Sequence, residues 1–165
     1  MIPDETKDLP DILASLKKGF HTGKTRDLEF RLGQLRSLRN GIAEMSDELC
    51  KAIQMDLGRG PFYAYVSEVH LVLSELDNAI DNFYEWAKTR SEDTPFIVGP
   101  GSSYVRPEPL GVVLVMNAWN YPIYTMFGPA SQIIAAGNCM LLKPSEVGPN
   151  CCKVLYKLCE KYLDS

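Results

Sequence analysis

From Leu110 to Met116 the chain runs Leu-Gly-Val-Val-Leu-Val-Met without a polar side chain. A strand with one wet face alternates polar and apolar residues. An unbroken Val-rich run is instead expected to be buried on both faces of a parallel sheet. Parallel strands need a crossover connection, and the residues that follow have that form. Asn117-Ala118-Trp119-Asn120-Tyr121-Pro122 gathers two amides and two aromatics in a loop, and Pro122 suits a first helical turn, where no amide donor is required. A helix is predicted over Ile123 to Ala136, ended by Gly137-Asn138, with Gly128-Pro129 as a candidate kink. Cys139 to Leu142 is a second apolar run, closed by Lys143-Pro144-Ser145-Glu146. A β-α-β unit of this kind brings both strand ends to one edge, so Asn120 and Lys143 are expected to face one crevice, where open parallel sheets bind ligands.

Upstream, the pattern is helical. Asp11 is a candidate cap for a helix carrying Ile12, Leu13, Leu16 and Phe20, and Met1 to Pro10 reads as a mobile lead-in. Thr25 opens a second helix with Leu28, Leu32, Leu35, Leu38, Ile42 and Met45 at core spacing. Ser46 caps a third through Leu49 and Ile53, and Asp56 to Pro61 reads as a loop. A long helix from Phe62 to about Lys88 carries Val66, Val69, Leu73, Leu76, Ile80, Phe83 and Trp86, with Tyr63, Tyr65 and Tyr84 as half-buried packing residues. Pro95 to Val98 and Ser102 to Val105 read as extended pieces around Gly99-Pro100-Gly101, and Pro107 and Pro109 favour an edge or a projecting arm. A last helix starts at Gly148-Pro149 and is expected to pack on the sheet.

The formal net charge of -4 gives no electrostatic reason to expect nucleic acid or an anionic membrane as partner. No run approaches the ~18 apolar residues of a spanning helix, so the chain reads as soluble and cytoplasmic. Its five cysteines include the vicinal Cys151-Cys152 and form no CxxC pair, which argues for reduced thiols. His21 and His70 lie far apart without neighbouring ligands, so no metal site is expected.

PEPLGVV, WNYP, AAGN and LKPSE, in this order and spacing, resemble the aldehyde dehydrogenase superfamily. GKTRDLEFRLGQLRSLRN and YVSEVHLVLSEL are similar to the amino-terminal helices of its class-three or fatty-aldehyde branch. The resemblance implies an α/β fold: amino-terminal helices (1–94), an extended oligomerisation arm (95–109), and the first β-α-β unit of a Rossmann-like parallel sheet (110–165). It implies an amino-terminal fragment lacking the catalytic domain, with NAD or NADP as cofactor, an aldehyde as substrate of the complete enzyme, and a homo-oligomer, a dimer, through the arm. Membrane association would come only through a missing carboxyl-terminal anchor.

By the same resemblance Asn120 is the side-chain amide donor to the oxyanion formed when a nucleophile adds to an aldehyde. Lys143 is the lysine that hydrogen-bonds the adenosine ribose, Glu146 shares the ribose hydroxyls, and Trp119 with the backbone of Met116, Asn117 and Ala118 lines the cofactor crevice. Read without it, Asn120 is a loop residue bonding its own backbone, Trp119 is packing, and Lys143 with Glu146 is an exposed ion pair. None of the five cysteines has an adjacent base, so none is expected to be the nucleophile. The leading expectation is an NAD(P)-dependent aldehyde dehydrogenase whose amino-terminal part is inactive alone. The alternatives are a non-enzymatic form that associates with a full-length relative, and a bare nucleotide-binding module.

Overall fold

The computed structural model describes residues 8–164. The lead-in expected over Met1 to Pro10 lies outside the described residues except at its end, where Leu9 and Pro10 already belong to the first helix, α1 (Leu9–His21). Pro10 sits in that helix's first turn, where its missing N–H costs nothing, so the helix starts ahead of Asp11. Ile12, Leu16 and Phe20 are half-buried, and Leu13 faces solvent.

The second helix, α2 (Leu28–Glu44), is opened by Asp27 and not by Thr25: the Asp27 carboxylate accepts from the Phe30 N–H at 2.7 Å, and Lys24–Arg26 forms a separate 3-10 turn. Ser46 is the first residue of α3 (Ser46–Leu57) and makes no side-chain capping bond. Asp56 and Leu57 are helical, not loop, and Gly58 ends the helix with φ +68, a conformation that glycine adopts without a Cβ penalty.

The predicted long helix is divided. A short α4 (Pro61–Ala64) passes through a π turn (Tyr65–Val69) into α5 (His70–Ala87). The π turn inserts an extra residue and rotates the register, so the buried stripe is Ala64, Glu68, Val69, Val72, Leu76, Ala79 and Phe83, whereas Val66 and Trp86 are exposed. A carboxylate thus occupies a core position.

A two-stranded ribbon begins ahead of Pro95. β1 (Arg90–Glu92) pairs antiparallel with β2 (Ser103–Val105), and Phe96–Val98 is a 3-10 turn and not extended. β3 (Val112–Met116), α6 (Tyr124–Ala135) and β4 (Cys139–Lys143) form the predicted β-α-β unit, with Val112 opposite Cys139 and Met116 opposite Lys143 in a parallel pair. Pro129 lies within α6. Gly137 follows that helix with φ +85, and a Cβ there would sit 2.8 Å from the Arg31 guanidinium. Asn138 then turns back, its side-chain oxygen accepting from the Gly111 N–H at 2.8 Å. This explains the paired Gly-Asn in chemical terms: one residue turns the chain and the next ties the two strand starts together.

β3 is not buried on both faces. Only Val115 is buried, while Leu114 and Met116 are 54% and 75% exposed, because among the described residues β3 pairs with β4 alone and its far side stays uncovered. α7 (Pro149–Tyr162) packs mainly against α3 and α2 rather than on the strands. The core lies between α2, α5 and α6 and extends to α3 and α7, with Leu35, Leu38, Ile53, Leu76, Phe127 and Leu158 at zero exposure. No helix of the described residues is long and apolar enough to cross a membrane.

Candidate functional site

The carboxyl ends of β3 and β4 lie side by side, and the Asn117 N–H donates to the Lys143 carbonyl at 3.0 Å, carrying the ladder one step past the strand. There the chain turns. The Asn117 side chain is buried, its Nδ2 donating to the Pro122 carbonyl at 2.6 Å and its Oδ1 lying 2.8 Å from the Thr125 hydroxyl. That hydroxyl is also 2.7 Å from the Tyr121 carbonyl, and its single proton serves one acceptor at a time. Asn117 therefore ties the two ends of the loop together, leaving Ala118, Trp119 and Asn120 exposed at its crest.

A second support comes from the helical layer. Glu68 has no exposure, and its Oε2 accepts from the Ile123 N–H at 2.7 Å and the Tyr124 N–H at 3.3 Å, at the start of α6. Its Oε1 accepts from Arg59 Nη1 at 2.9 Å, and Arg59 Nη2 donates to the Asn120 carbonyl. Burial pushes the Glu68 carboxyl above its ordinary value, against the pull of the two amides and of Arg59. Asp56 does the same for α7, accepting from the Cys151 N–H at 2.7 Å and from the Asn150 N–H and side-chain amide at 3.2 and 2.7 Å. Burial raises the Asp56 carboxyl, but these hydrogen bonds outweigh it and leave the group below its usual value. A helix N-terminus is a ready anion site. Both helices that follow the strands have theirs filled by a carboxylate, so neither start is open to a phosphate, in keeping with the absence of a glycine-rich turn there.

Lys143 Nζ and Glu146 Oε2 lie 2.5 Å apart on the surface beside the end of β3, and the hydrogen bond from Lys143 holds the Glu146 carboxyl below its ordinary range. The cysteines are chemically quiet. Burial pushes all five thiols up, Cys159 to about 11, so at neutral pH they stay protonated.

The strand register brings Met116, Asn117 and Lys143 together, and Ala118, Trp119 and Asn120 follow on the loop. Trp119 is 53% exposed, more than a packing residue would be. Asn120 does not bond its own backbone: its carbonyl accepts from Arg59, and its side-chain amide is exposed without a hydrogen-bond partner among the described residues. Sequence reasoning missed Asp56, Arg59, Glu68 and Thr125. The one available signal was Glu68, four residues after Ala64 and four before Val72 on an otherwise apolar stripe.

A parallel strand pair with an amide-bearing loop at the carboxyl end of one strand and a Lys–Glu pair on the next is the edge at which open α/β sheets commonly take ligands. The sequence model described as Aldehyde dehydrogenase family matches residues 4–163, and the chain belongs to that family. It is 41% identical over 152 residues to aldehyde dehydrogenase family 3 member B2 of Mus musculus, covering 92% of this chain and 32% of the relative. Among solved structures, the substrate-bound AldH of Staphylococcus aureus superposes with a TM-score of 0.92 at 34% identity, over 94% of this chain and 34% of that one. A mutant of aldehyde dehydrogenase AldC from Pseudomonas syringae, in complex with NAD+ and octanal, matches with a TM-score of 0.76 at 25% identity, over 92% of this chain and 30% of that one. The chain thus spans about a third of the length of the relatives it matches.

Proposed function

We propose that this chain supplies the oxyanion donor and the ribose contacts of an NAD(P)-dependent aldehyde dehydrogenase that converts aldehydes to carboxylic acids, and that nucleophile and general base come from residues outside it. The observation that carries the reading is the Asn120 side-chain amide: without a hydrogen-bond partner among the described residues, on a loop tied at both ends and from the helical layer, at the same sheet edge as Lys143 and Glu146. An amide N–H held in advance of the reaction stabilises negative charge as it develops on the aldehyde oxygen, with no reorganisation at that moment. Lys143 offers donors and Glu146 an acceptor, the set that a vicinal diol requires, and both heads are accessible beside Met116. A nicotinamide held at this edge would supply the hydride acceptor. The NAD+ and octanal held by AldC support the same pairing of cofactor and substrate class here.

The free thiols suit a reducing, cytoplasmic setting. The arm carries Phe96, Ile97 and Tyr104 at 101%, 92% and 65% exposure, which supports pairing through it with a second copy or with a full-length relative.

In the complete enzyme, Lys143→Ala is expected to weaken cofactor binding, with a smaller loss of turnover at saturation, because ribose contacts are present in ground and transition states alike. Titration of NAD and NADP against the variant checks this, and unchanged affinity for both would remove Lys143 from the site.

A further inference from the structure

We infer that Arg59 is a positioning residue for the reaction, a clamp that fixes the Asn120 backbone and so aims the Asn120 amide. The inference rests on the oxyanion role proposed for Asn120. The loop is anchored at its strand end by Asn117 and at its helix end by Glu68. Neither anchor touches the crest, where Trp119 and Asn120 are exposed. Among the described residues, the hydrogen bond from Arg59 Nη2 to the Asn120 carbonyl is the contact that holds it, reaching across 61 positions of sequence.

The guanidinium is itself fixed. Its Nη1 donates to the buried Glu68 at 2.9 Å, and its Cζ lies 4.3 Å from the centroid of the Tyr121 ring and 5.8 Å from that of Tyr63. Only 19% of the Arg59 side chain is exposed. Arginine suits this place for a geometric reason: a rigid fork sends one N–H to the carboxylate and another to the carbonyl while its face stacks on an aromatic ring, whereas lysine offers a point charge on a flexible stem. The carboxylate that starts α6 and the carbonyl of the residue that carries the donor amide are therefore held by one planar group. Tyr63 and Tyr121, whose hydroxyls lie 3.4 Å apart, act as its walls rather than as simple packing residues.

The test is a double-mutant cycle in the full-length enzyme, with turnover corrected for the active fraction and folding checked by circular dichroism. Misplacing a reacting group by about 1 Å costs on the order of 100-fold. Arg59→Ala is therefore expected to lower kcat by roughly 10- to 100-fold, with KM and cofactor Kd little changed and partial recovery in Arg59→Lys. In an Asn120→Ala background the same substitution is expected to have almost no further effect, because the group it aims is gone. Should Arg59→Ala fail to fold, Arg59→Lys carries the cycle, with a smaller loss that must likewise vanish without Asn120. Equal losses in both backgrounds, or unchanged kcat, would overturn the clamp while leaving the role of Asn120 intact. An Asn120→Ala enzyme with normal kcat would instead refute the oxyanion reading on which the clamp depends.

Discussion

Replacing Asn120 with alanine lowers the turnover of the complete enzyme by roughly 100- to 1,000-fold, about 2.7–4 kcal/mol of transition-state stabilisation. The direction follows from where the amide acts. It is exposed and has no hydrogen-bond partner among the described residues, so its removal leaves none of their buried groups unsatisfied and costs the fold little. Its hydrogen bond forms fully only when charge builds on the aldehyde oxygen, and an interaction confined to the transition state appears in kcat and in kcat/KM alike. The Kd for NAD should stay near its original value. Steady-state kinetics beside a cofactor titration separate the two quantities, and a change confined to cofactor affinity would count against the assignment.

Replacing Glu68 with alanine destabilises the chain by about 3 kcal/mol, the lower end of what is lost when one partner of a buried ion pair is removed. The lower end applies because Arg59 retains 19% exposure and gains some hydration when its partner leaves, whereas the Ile123 and Tyr124 N–H groups lose their acceptor inside the core. The glutamine variant keeps the shape and one acceptor oxygen, so it should lose less. Its pH dependence also differs. Burial holds the Glu68 carboxyl above its unfolded value of about 4.5, so the native state keeps the proton more tightly than the unfolded chain does. The stability linked to that proton is fully present below the unfolded value and is lost as pH rises through the higher native one, while the hydrogen bonds to Arg59, Ile123 and Tyr124 remain. Glu68→Gln removes this slope. Urea denaturation across the pH range reads both effects, and an alanine variant as stable as the parent would show that Glu68 does not hold the start of α6.

What was legible in the sequence was local. The strand, loop, helix and strand from Val112 to Lys143 follow from a Val-rich run, Gly137-Asn138 at the helix end, and Lys143-Pro144 as a stop, each acting within a few residues, whereas Pro122 lies in the turn before α6 and not in its first turn. Their register placed Met116 and Lys143 on one edge, as the unit's topology requires. The supports of the loop could not be read this way. Glu68 sits at helical spacing on an apolar stripe, but the amides it reaches are 55 positions away, and only the fold brings them to it. Arg59 looked like one charge in a glycine-rich loop, and only the fold places it over Tyr121. The burial of β3 was overestimated because an unbroken apolar run reports what a strand can bury, not what covers it. Capping was misread at Thr25 because Asp27, two residues on, opens α2 with its own carboxylate.

The division of labour along the chain is tested most directly by assaying the purified 165 residues for aldehyde-dependent formation of NADH and NADPH. The account predicts none above a no-protein control, because the one exposed amide at the sheet edge has no thiolate beside it and burial keeps every cysteine of the chain protonated. Turnover with any of several aliphatic or aromatic aldehydes, abolished by a thiol-alkylating reagent, would place the nucleophile within these residues and contradict it.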